Sequence, residues 1–495
     1  MRARGVFSPL RWISAFFLLA ALVLTILQLV RFSRIRANLP QGMKIAGVQV
    51  GNLNRQEAAQ RLLEAYSTPI EILYNQSVIH LDPSVVDFQL DLEGMLAAAE
   101  LQRTQQPFWV EFWNYLWGRT PPVSEVPLRA TFSEQRLRTY LADEIARRYD
   151  QPPIAASPIV GTVNFRPGSQ GTVLDIDRSV LLIDNALHTL NQRKVILPLK
   201  RTTPPRPAFQ NLQILLEQTI NLAEFNGLAD VYLLDLQTAQ ETHFALNQGE
   251  KISVEPDIAY TASSIIKIPI MVSVFRRVGE NIDPETQRLL SEMITKSGNE
   301  TADWLMDRVI EPDRAPLEVA KDMQALGLEN TFLAGYFSLG SPLLERIETP
   351  ANQRPDINTD PDPYSQTTPT DIGMLLQDIY LCAQNGGGTL FAVFPGQFTQ
   401  TECQTMITLL VNNKLPSLLT AGIPEGTQIA HKHGWVSTNG IINTIGDAGI
   451  IYTPGGNYIL VVFLHHPDQL VWEPASKLIA DLSRAVYNYY NIPQQ

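Results

Sequence analysis

Apolar positions along this chain fall into runs of three kinds. From Trp12 to Val30, nineteen successive positions carry no charge and are rich in Leu, Ala, Phe, Val and Ile. As a helix at about 1.5 Å per residue the run covers about 28 Å, close to the hydrocarbon thickness of a bilayer. It is longer than the apolar core of a signal peptide, and no small-x-small cleavage pattern follows within 31–40, so it predicts an uncleaved membrane anchor. From Ile45 to Arg201 the runs are short. Gly47 to Gly51 alternates like a strand, Asn54 and Glu57 form a capping box ahead of Ala58, Leu62 and Leu63 at helical spacing, and Glu71–Tyr74 and Val78–Leu81 flank the turn residues Asn75 and Gln76. A similar order recurs: a helix from Ser133 to Arg148, a glycine-rich turn from Pro167 to Gly171, a helix near Arg178 to Leu190 and a strand from Lys194 to Leu199. Beyond residue 209 the runs lengthen, with an apolar helix following Tyr260–Lys267, strands at Gln428–His431, Ile441–Tyr452 and Tyr458–His465, and a closing helix after Leu470.

Between the two short-run regions, Phe108, Trp109, Phe112, Trp113 and Leu116 recur at helical spacing, with Tyr115 and Trp117 beside them. Such a stripe is usually core; a surface lying on a bilayer or on glycan is the alternative. The segment Thr203-Pro204-Pro205-Arg206-Pro207 is a stiff linker. These signals divide the chain into a cytoplasmic tail (1–11), an anchor (12–30), a linker (31–44), a small α/β region (45–201), a Pro-rich linker (202–208) and a large C-terminal domain (209–495).

Composition narrows the function. With 45% hydrophobic and 18% charged residues the chain is too apolar for disorder, and 2 cysteines cannot staple a miniprotein. The net charge is −12, yet no acid precedes Glu57 while seven basic residues lie in the first 44, which leaves −19 on everything after Lys44. An acidic body argues against nucleic acid as partner. The simplest topology places the short tail inside and the acidic body outside the membrane, in the periplasm or extracellular space. Arginines flank both ends of the anchor and give little orientation signal.

The chemistry concentrates in the C-terminal part. Ser264 and Lys267 are three positions apart at the start of an apolar helix, so they share a face, and a lysine amine can take the proton of a serine hydroxyl if burial and positive neighbours depress its pKa. Ser297-Gly298-Asn299 follows at the start of a helical run, Glu300 to Val309. Lys432-His433-Gly434 then ends the strand Gln428–His431. These three elements, in this order, resemble the penicillin-recognising serine hydrolases, and among them the class A β-lactamases, with their Ser-x-x-Lys, Ser-Asp-Asn and Lys-Thr-Gly motifs. Thr367-Thr368-Pro369-Thr370-Asp371 ahead of an apolar helix also matches that pattern. The resemblance implies an α/β (α+β) fold of the β-lactamase/transpeptidase type, an antiparallel sheet with helices on both faces plus a helical subdomain. It implies Ser264 as nucleophile, Lys267 as base, Ser297 as proton relay, Asn299 as a substrate-amide ligand, Lys432 beside the substrate carboxylate, and an oxyanion hole from the N–H groups of Ser264 and Trp435. The expected substrates are β-lactams or acyl-D-Ala-D-Ala stem peptides of peptidoglycan. The region 45–201 resembles the peptidoglycan-binding domains found beside cell-wall enzymes.

Three departures qualify this expectation. Gly298 stands for the motif's Asp, and His433 places an imidazole where a hydroxyl would meet the carboxylate. Ungapped alignment from Asn299 puts Phe337 where class A enzymes carry the glutamate that activates the deacylating water. Glu345, Glu348, Asp356, Asp360 and Asp362 lie on the following loop among prolines and asparagines, which reads as solvated. The leading expectation is a membrane-anchored serine hydrolase of the class A β-lactamase type that forms an acyl-enzyme on Ser264 and hydrolyses β-lactams. Because that acyl-enzyme would be long-lived without the loop glutamate, a slowly deacylating penicillin-binding D,D-peptidase is one alternative, and a catalytically silent peptidoglycan-binding protein is the other. No cofactor is expected, and no metal, because His431, His433, His465 and His466 lack a third ligand at fixed spacing. Cys382 and Cys403 are either a disulfide or two buried thiols.

Overall fold

In the computed structural model, residues 9–119, 125–279, 282–438 and 440–493 are described. Most of the expected tail lies outside them. A single helix runs Pro9–Arg36 and contains the uncharged run with its side chains exposed. The chain forms two units, residues 1–153 with 170–203, and residues 154–169 with 204–495.

The N-terminal unit is built from small pieces. Its first core gathers Ile45, Val48, Val50, Ala58, Leu62, Tyr66, Met95 and Leu96. The expected strand over Gly47–Gly51 is only Val48–Gln49, paired with Lys44–Ile45, because Ala46 and Gly47 turn through positive φ and leave no room for more register. The Asn54–Glu57 capping box forms and starts the helix Arg55–Tyr66, but Leu63 faces solvent. The second core joins the hairpin Ile70–Tyr74 and Ser77–Leu81 to the helices Glu134–Tyr140 and Ile176–His188. The helix expected over Ser133–Arg148 is interrupted by a π-helical turn, Leu141–Ala146. The strand expected over Lys194–Leu199 is split: Lys194–Ile196 lies parallel to Ile70–Tyr74, and Leu199–Thr202 pairs with Gly171–Leu174 in a separate sheet. Pro198 interrupts the ladder, since it has no N–H to donate.

In the C-terminal unit a six-stranded antiparallel sheet runs in the order Glu250–Ile252, Glu241–Asn247, Leu228–Asp235, Tyr458–His465, Ile441–Tyr452, Gln428–Thr438. Leu228–Asp235 and Tyr458–His465 are buried at every position, which is why both are mainly apolar, with Asp230, Asp235 and His465 as buried polar exceptions. Alternate residues serve opposite faces. Val231, Leu233, Leu460 and Val462 meet the helices Phe209–Leu222 and Trp472–Tyr490, while Tyr232, Ile459, Val461 and Phe463 meet a helical group that includes Lys267–Val278 and Pro369–Asn385. Lys267–Val278 is buried from Lys267 through Phe275. A helix enclosed on all sides holds its first turn rigidly, and that turn carries the site. Residues 154–169, expected with the small α/β region, pack here instead, Phe165 lying against Tyr489 at 5.8 Å between ring centroids. Cys382 and Cys403 form a disulfide between the helices Pro369–Asn385 and Gln400–Val411, with Cα atoms 5.8 Å apart.

Candidate active site

Ser264 lies in a 3₁₀ turn, Ser263–Ile266, that runs directly into the Lys267–Val278 helix. The turn is entered through Ser263 at φ 50°, and Ser297 has φ 58°. Both are left-handed conformations that non-glycine residues seldom adopt, and they persist where surrounding packing over-determines them. Lys267 is fully buried. Its Nζ donates to Ser264 Oγ at 2.9 Å and to Asn299 Oδ1 at 2.8 Å. Burial first, and then the Lys432 ammonium, lower its pKa to about 7, against a small opposing pull from Asp303. Ser264 and Ser297 are half-buried and Asn299 is exposed, so the cluster opens to solvent on the side away from the lysine.

The Gln428–Thr438 strand supplies the second lysine. Lys432, His433 and Gly434 were expected to end this strand; they lie inside it, paired with Ala448, Asp447 and Gly446. Strand alternation sends Lys432 and Gly434 toward Ser264 and turns His431, His433 and Trp435 to the other face. Lys432 is fully buried and donates to Ser297 Oγ at 3.0 Å and to the His433 carbonyl at 3.3 Å. Burial lowers its pKa to about 8, and Asp447 opposes the shift. A Cβ at position 434 would stand 2.9 Å from Ser264 N, so only glycine lets this strand approach the Ser264 backbone so closely. At position 298, where the motif has Asp, the Thr301 hydroxyl lies 2.5 Å from where a Cβ would be.

Ser264, Lys267, Ser297, Asn299, Lys432 and Gly434 thus come together. The side chains of His433 and Trp435 do not join that cluster. Their rings stack on each other with centroids 5.1 Å apart, and Trp435 meets Trp472. Asn413 Nδ2 lies 3.3 Å from His433 Nδ1, and burial with the neighbouring Lys432 lowers the imidazole's pKa to about 4, so it is neutral at neutral pH.

The Phe337 ring packs against the Lys267 ammonium, its centroid 4.5 Å from Nζ. Asp303 fixes it there, accepting hydrogen bonds from Phe337 N at 3.0 Å, Ser338 N at 2.9 Å and Ser338 Oγ at 2.6 Å. The loop beyond is pinned rather than solvated throughout. Arg354 is buried and bonds the carbonyls of Ser253 and Pro256, and Thr359 bonds that of Ala259. Its acids point outward nonetheless: Glu345, Glu348, Asp356 and Asp360 are exposed and Asp362 is half-buried. Among the described residues none of the five accepts a hydrogen bond from Ser264 or Lys267.

Asp303 and Asp447 escape a motif-based reading, although both carry a signal. Asp303 is four residues after Asn299 and therefore on the same helical face. Asp447 is a lone acid in a buried apolar strand. It accepts from His431 Nδ1 at 2.9 Å, and although burial pushes its carboxyl up, His431 holds it below the ordinary range. Elsewhere Asp230, His243 and Asp257 place ligand-type atoms within 4.8 Å of one another. Those atoms are already engaged: His243 Nε2 with Asp230 at 2.9 Å, Tyr260 OH with Asp230 at 3.1 Å, and Thr370 Oγ1 with His243 Nδ1 at 3.2 Å.

Residues 280–490 match the family model described as the beta-lactamase enzyme family. Among solved structures, one titled PBP-A is 21% identical, with 58% of this chain and 98% of that one covered and a TM-score of 0.41. A class A β-lactamase from Bacteroides cellulosilyticus is 18% identical, with 58% and 100% covered and a TM-score of 0.41. An ancestral class A β-lactamase reconstructed for Gram-negative bacteria is 20% identical, with 55% and 98% covered and a TM-score of 0.38. No curated protein matches the chain. The match over 280–490 lies within the C-terminal unit and contains the Ser297 and Lys432 elements, and over that stretch the chain is similar to the beta-lactamase enzyme family.

Proposed function

We propose that Ser264 is a nucleophile acylated by β-lactams and by acyl-D-Ala-D-Ala peptides, and that the β-lactam adduct turns over slowly. The observation that carries this reading is Lys267, buried, in contact with Ser264 Oγ and Asn299, with its pKa lowered to about 7 so that much of it is neutral at physiological pH. In acylation Ser264 Oγ bonds to the carbonyl carbon while its proton passes to Lys267 Nζ. The oxyanion is received by the N–H groups of Ser264 and Trp435, and Gly434 permits the close approach of the two chain segments this requires. The carbonyl C–N bond then breaks, and Ser297 Oγ, held by Lys432, gives its proton to the leaving nitrogen while the proton taken up by Lys267 is relayed to Ser297, which leaves the serine a hydroxyl and Lys267 neutral. Lys432 remains as a cation for the substrate carboxylate, and Asn299 orients both Lys267 and the substrate amide.

Deacylation needs a base for the incoming water. Phe337 stands beside Lys267 where a carboxylate would serve, which supports a penicillin-binding, D,D-peptidase-like enzyme ahead of an efficient β-lactamase. The anchor helix and the Cys382–Cys403 disulfide support a membrane-tethered domain in an oxidising, extracytoplasmic compartment. Residues 45–201 would hold peptidoglycan, and retention of the full chain on purified sacculi checks that role.

The test is intact-mass measurement after exposure to penicillin. We expect a stable adduct that disappears in Ser264→Ala and survives in Ser263→Ala, since Ser263 Oγ is buried and has no hydrogen-bond partner among the described residues. Rapid turnover without adduct would make the protein a working β-lactamase. Labelling that persists in Ser264→Ala, or a protein that never reacts, would remove the mechanism and leave a binding protein.

A further inference from the structure

The aromatic run expected as core forms the helix Phe108–Leu116, and only one side of it is covered. Phe112 is buried, whereas Trp109, Trp113 and Trp117 are 69%, 60% and 65% exposed, with Val110 and Leu116 beside them. Three tryptophans on one open face are unusual for a water-facing surface, and Trp is the residue most favoured where a bilayer's hydrocarbon meets its headgroups.

What covers the other face fixes where the helix sits. Gln28, Phe32 and Arg36 of the anchor helix are four residues apart and line one stripe. Phe32 meets Phe108, Phe112 and Tyr115 at centroid distances of 5.4, 5.5 and 5.3 Å. Arg36 pairs with Glu111 at 2.6 Å and lies over the Phe108 ring, while Tyr115 OH donates to Gln28 Oε1 at 3.0 Å. Partners therefore step back along the anchor as the aromatic helix advances, so the two run in opposite directions and the Trp117 end lies nearest the apolar run. Gln28 is within the uncharged stretch that closes at Val30, and Arg31, Arg34 and Arg36 follow it. Arg31 and Arg34 are exposed, and Arg36, Arg103 and Arg119 line an adjoining cavity of about 500 Å³, a charge pattern suited to anionic headgroups.

We propose that Phe108–Trp117 is a second membrane contact, a helix seated in the headgroup and upper acyl region of the leaflet in which the anchor ends, with Trp117 deepest and Trp109 shallowest. The inference rests on the anchor helix spanning a bilayer. Packing against that helix sets the depth, and the open tryptophan face is what the lipid covers.

The native cysteines are paired in the disulfide, so single cysteines introduced into the full chain carry an environment-sensitive fluorophore cleanly. Labelled Trp109→Cys, Trp113→Cys, Trp117→Cys, Leu22→Cys and Leu181→Cys proteins are reconstituted into phosphatidylcholine/phosphatidylglycerol vesicles containing nitroxide-labelled lipids. We expect blue-shifted emission and quenching in the order Leu22, Trp117, Trp113, Trp109, from deepest to shallowest nitroxide, and a water-like, unquenched signal at Leu181. Loss of quenching at Leu22 would overturn the anchor reading itself. Quenching at Leu22 with water-like signals at all three tryptophan positions would overturn the second contact alone. A blue shift at those positions without lipid quenching would mean that protein covers the face, and a shift appearing only on adding muropeptides would mean glycan; either overturns the proposal, as would equal quenching at Leu181.

Discussion

Two buried lysines, Lys267 and Lys432, share one site and differ in what surrounds them. Among the described residues neither amine touches a carboxylate; both are wholly enclosed, and each donates to a serine hydroxyl. Lys267 faces a phenyl ring and the second lysine, and its pKa falls to about 7. Lys432 has Asp447 across the strand pair, and its pKa falls only to about 8. Desolvation alone disfavours both cations; neighbouring charge separates them. The lower value suits a base that must be neutral to accept a proton, and the higher one a cation that must persist to hold Ser297 and an anionic substrate. The proposed division of roles follows from the difference: Lys267 feels the second ammonium as well as burial, with Asp303 opposing, whereas Lys432 feels burial with Asp447 opposing.

Removing the base should have the largest effect. Lys267→Ala is expected to slow acylation by a fluorescent penicillin by about 10²–10⁴-fold, the usual worth of positioned general-base catalysis, with unchanged melting as the control for folding. Lys432→Ala removes a charged hydrogen bond worth about 1.5–3 kcal/mol, so acylation should fall by roughly 10–100-fold, mainly through weaker apparent binding. Equal losses of rate and binding in the two variants would erase the distinction drawn between them.

The pH profile sharpens the same comparison. Acylation should rise as Lys267 loses its proton through about pH 7 and fall as Lys432 loses its own through about pH 8, giving a narrow bell. Phe337→Glu places a carboxylate beside Lys267. It should hasten decay of the penicillin adduct and move the acidic limb to higher pH, because a nearby negative charge favours the ammonium. An acidic limb that stays fixed would mean that the Phe337 side does not set Lys267's environment. Reducing Cys382–Cys403 should cost about 3 kcal/mol of unfolding stability through the entropy of the released loop while leaving both limbs in place.

Much of the C-terminal unit is legible in the sequence because burial on both faces of a sheet leaves long, mainly apolar stretches, and Ile441–Tyr452 and Tyr458–His465 take their expected bounds. The strand before them defeats the same reading. Lys432 and His433 are polar, so the apolar pattern ends at His431, although the hydrogen-bonded ladder continues to Thr438. Functional positions violate local patterning because their side chains are buried for chemistry. In the N-terminal unit the difficulty is length, since two-residue strands such as Lys44–Ile45 and Val48–Gln49 carry too little periodicity to be located.

Residue order alone specifies which groups are available to react. Ser264 and Lys267 at helical spacing, Ser297 and Asn299 at a helix start, and the lysine-glycine strand are chemical facts of residue order, as is an uncharged run long enough to cross a bilayer. The tertiary structure decided what those groups experience. It buried Lys267 beneath Phe337 by tying that loop to Asp303, set Asp447 behind Lys432, turned the His433 side chain away, and left three tryptophans uncovered. Covalent order and spacing are local properties, whereas desolvation and Coulomb forces depend on which distant segments pack alongside.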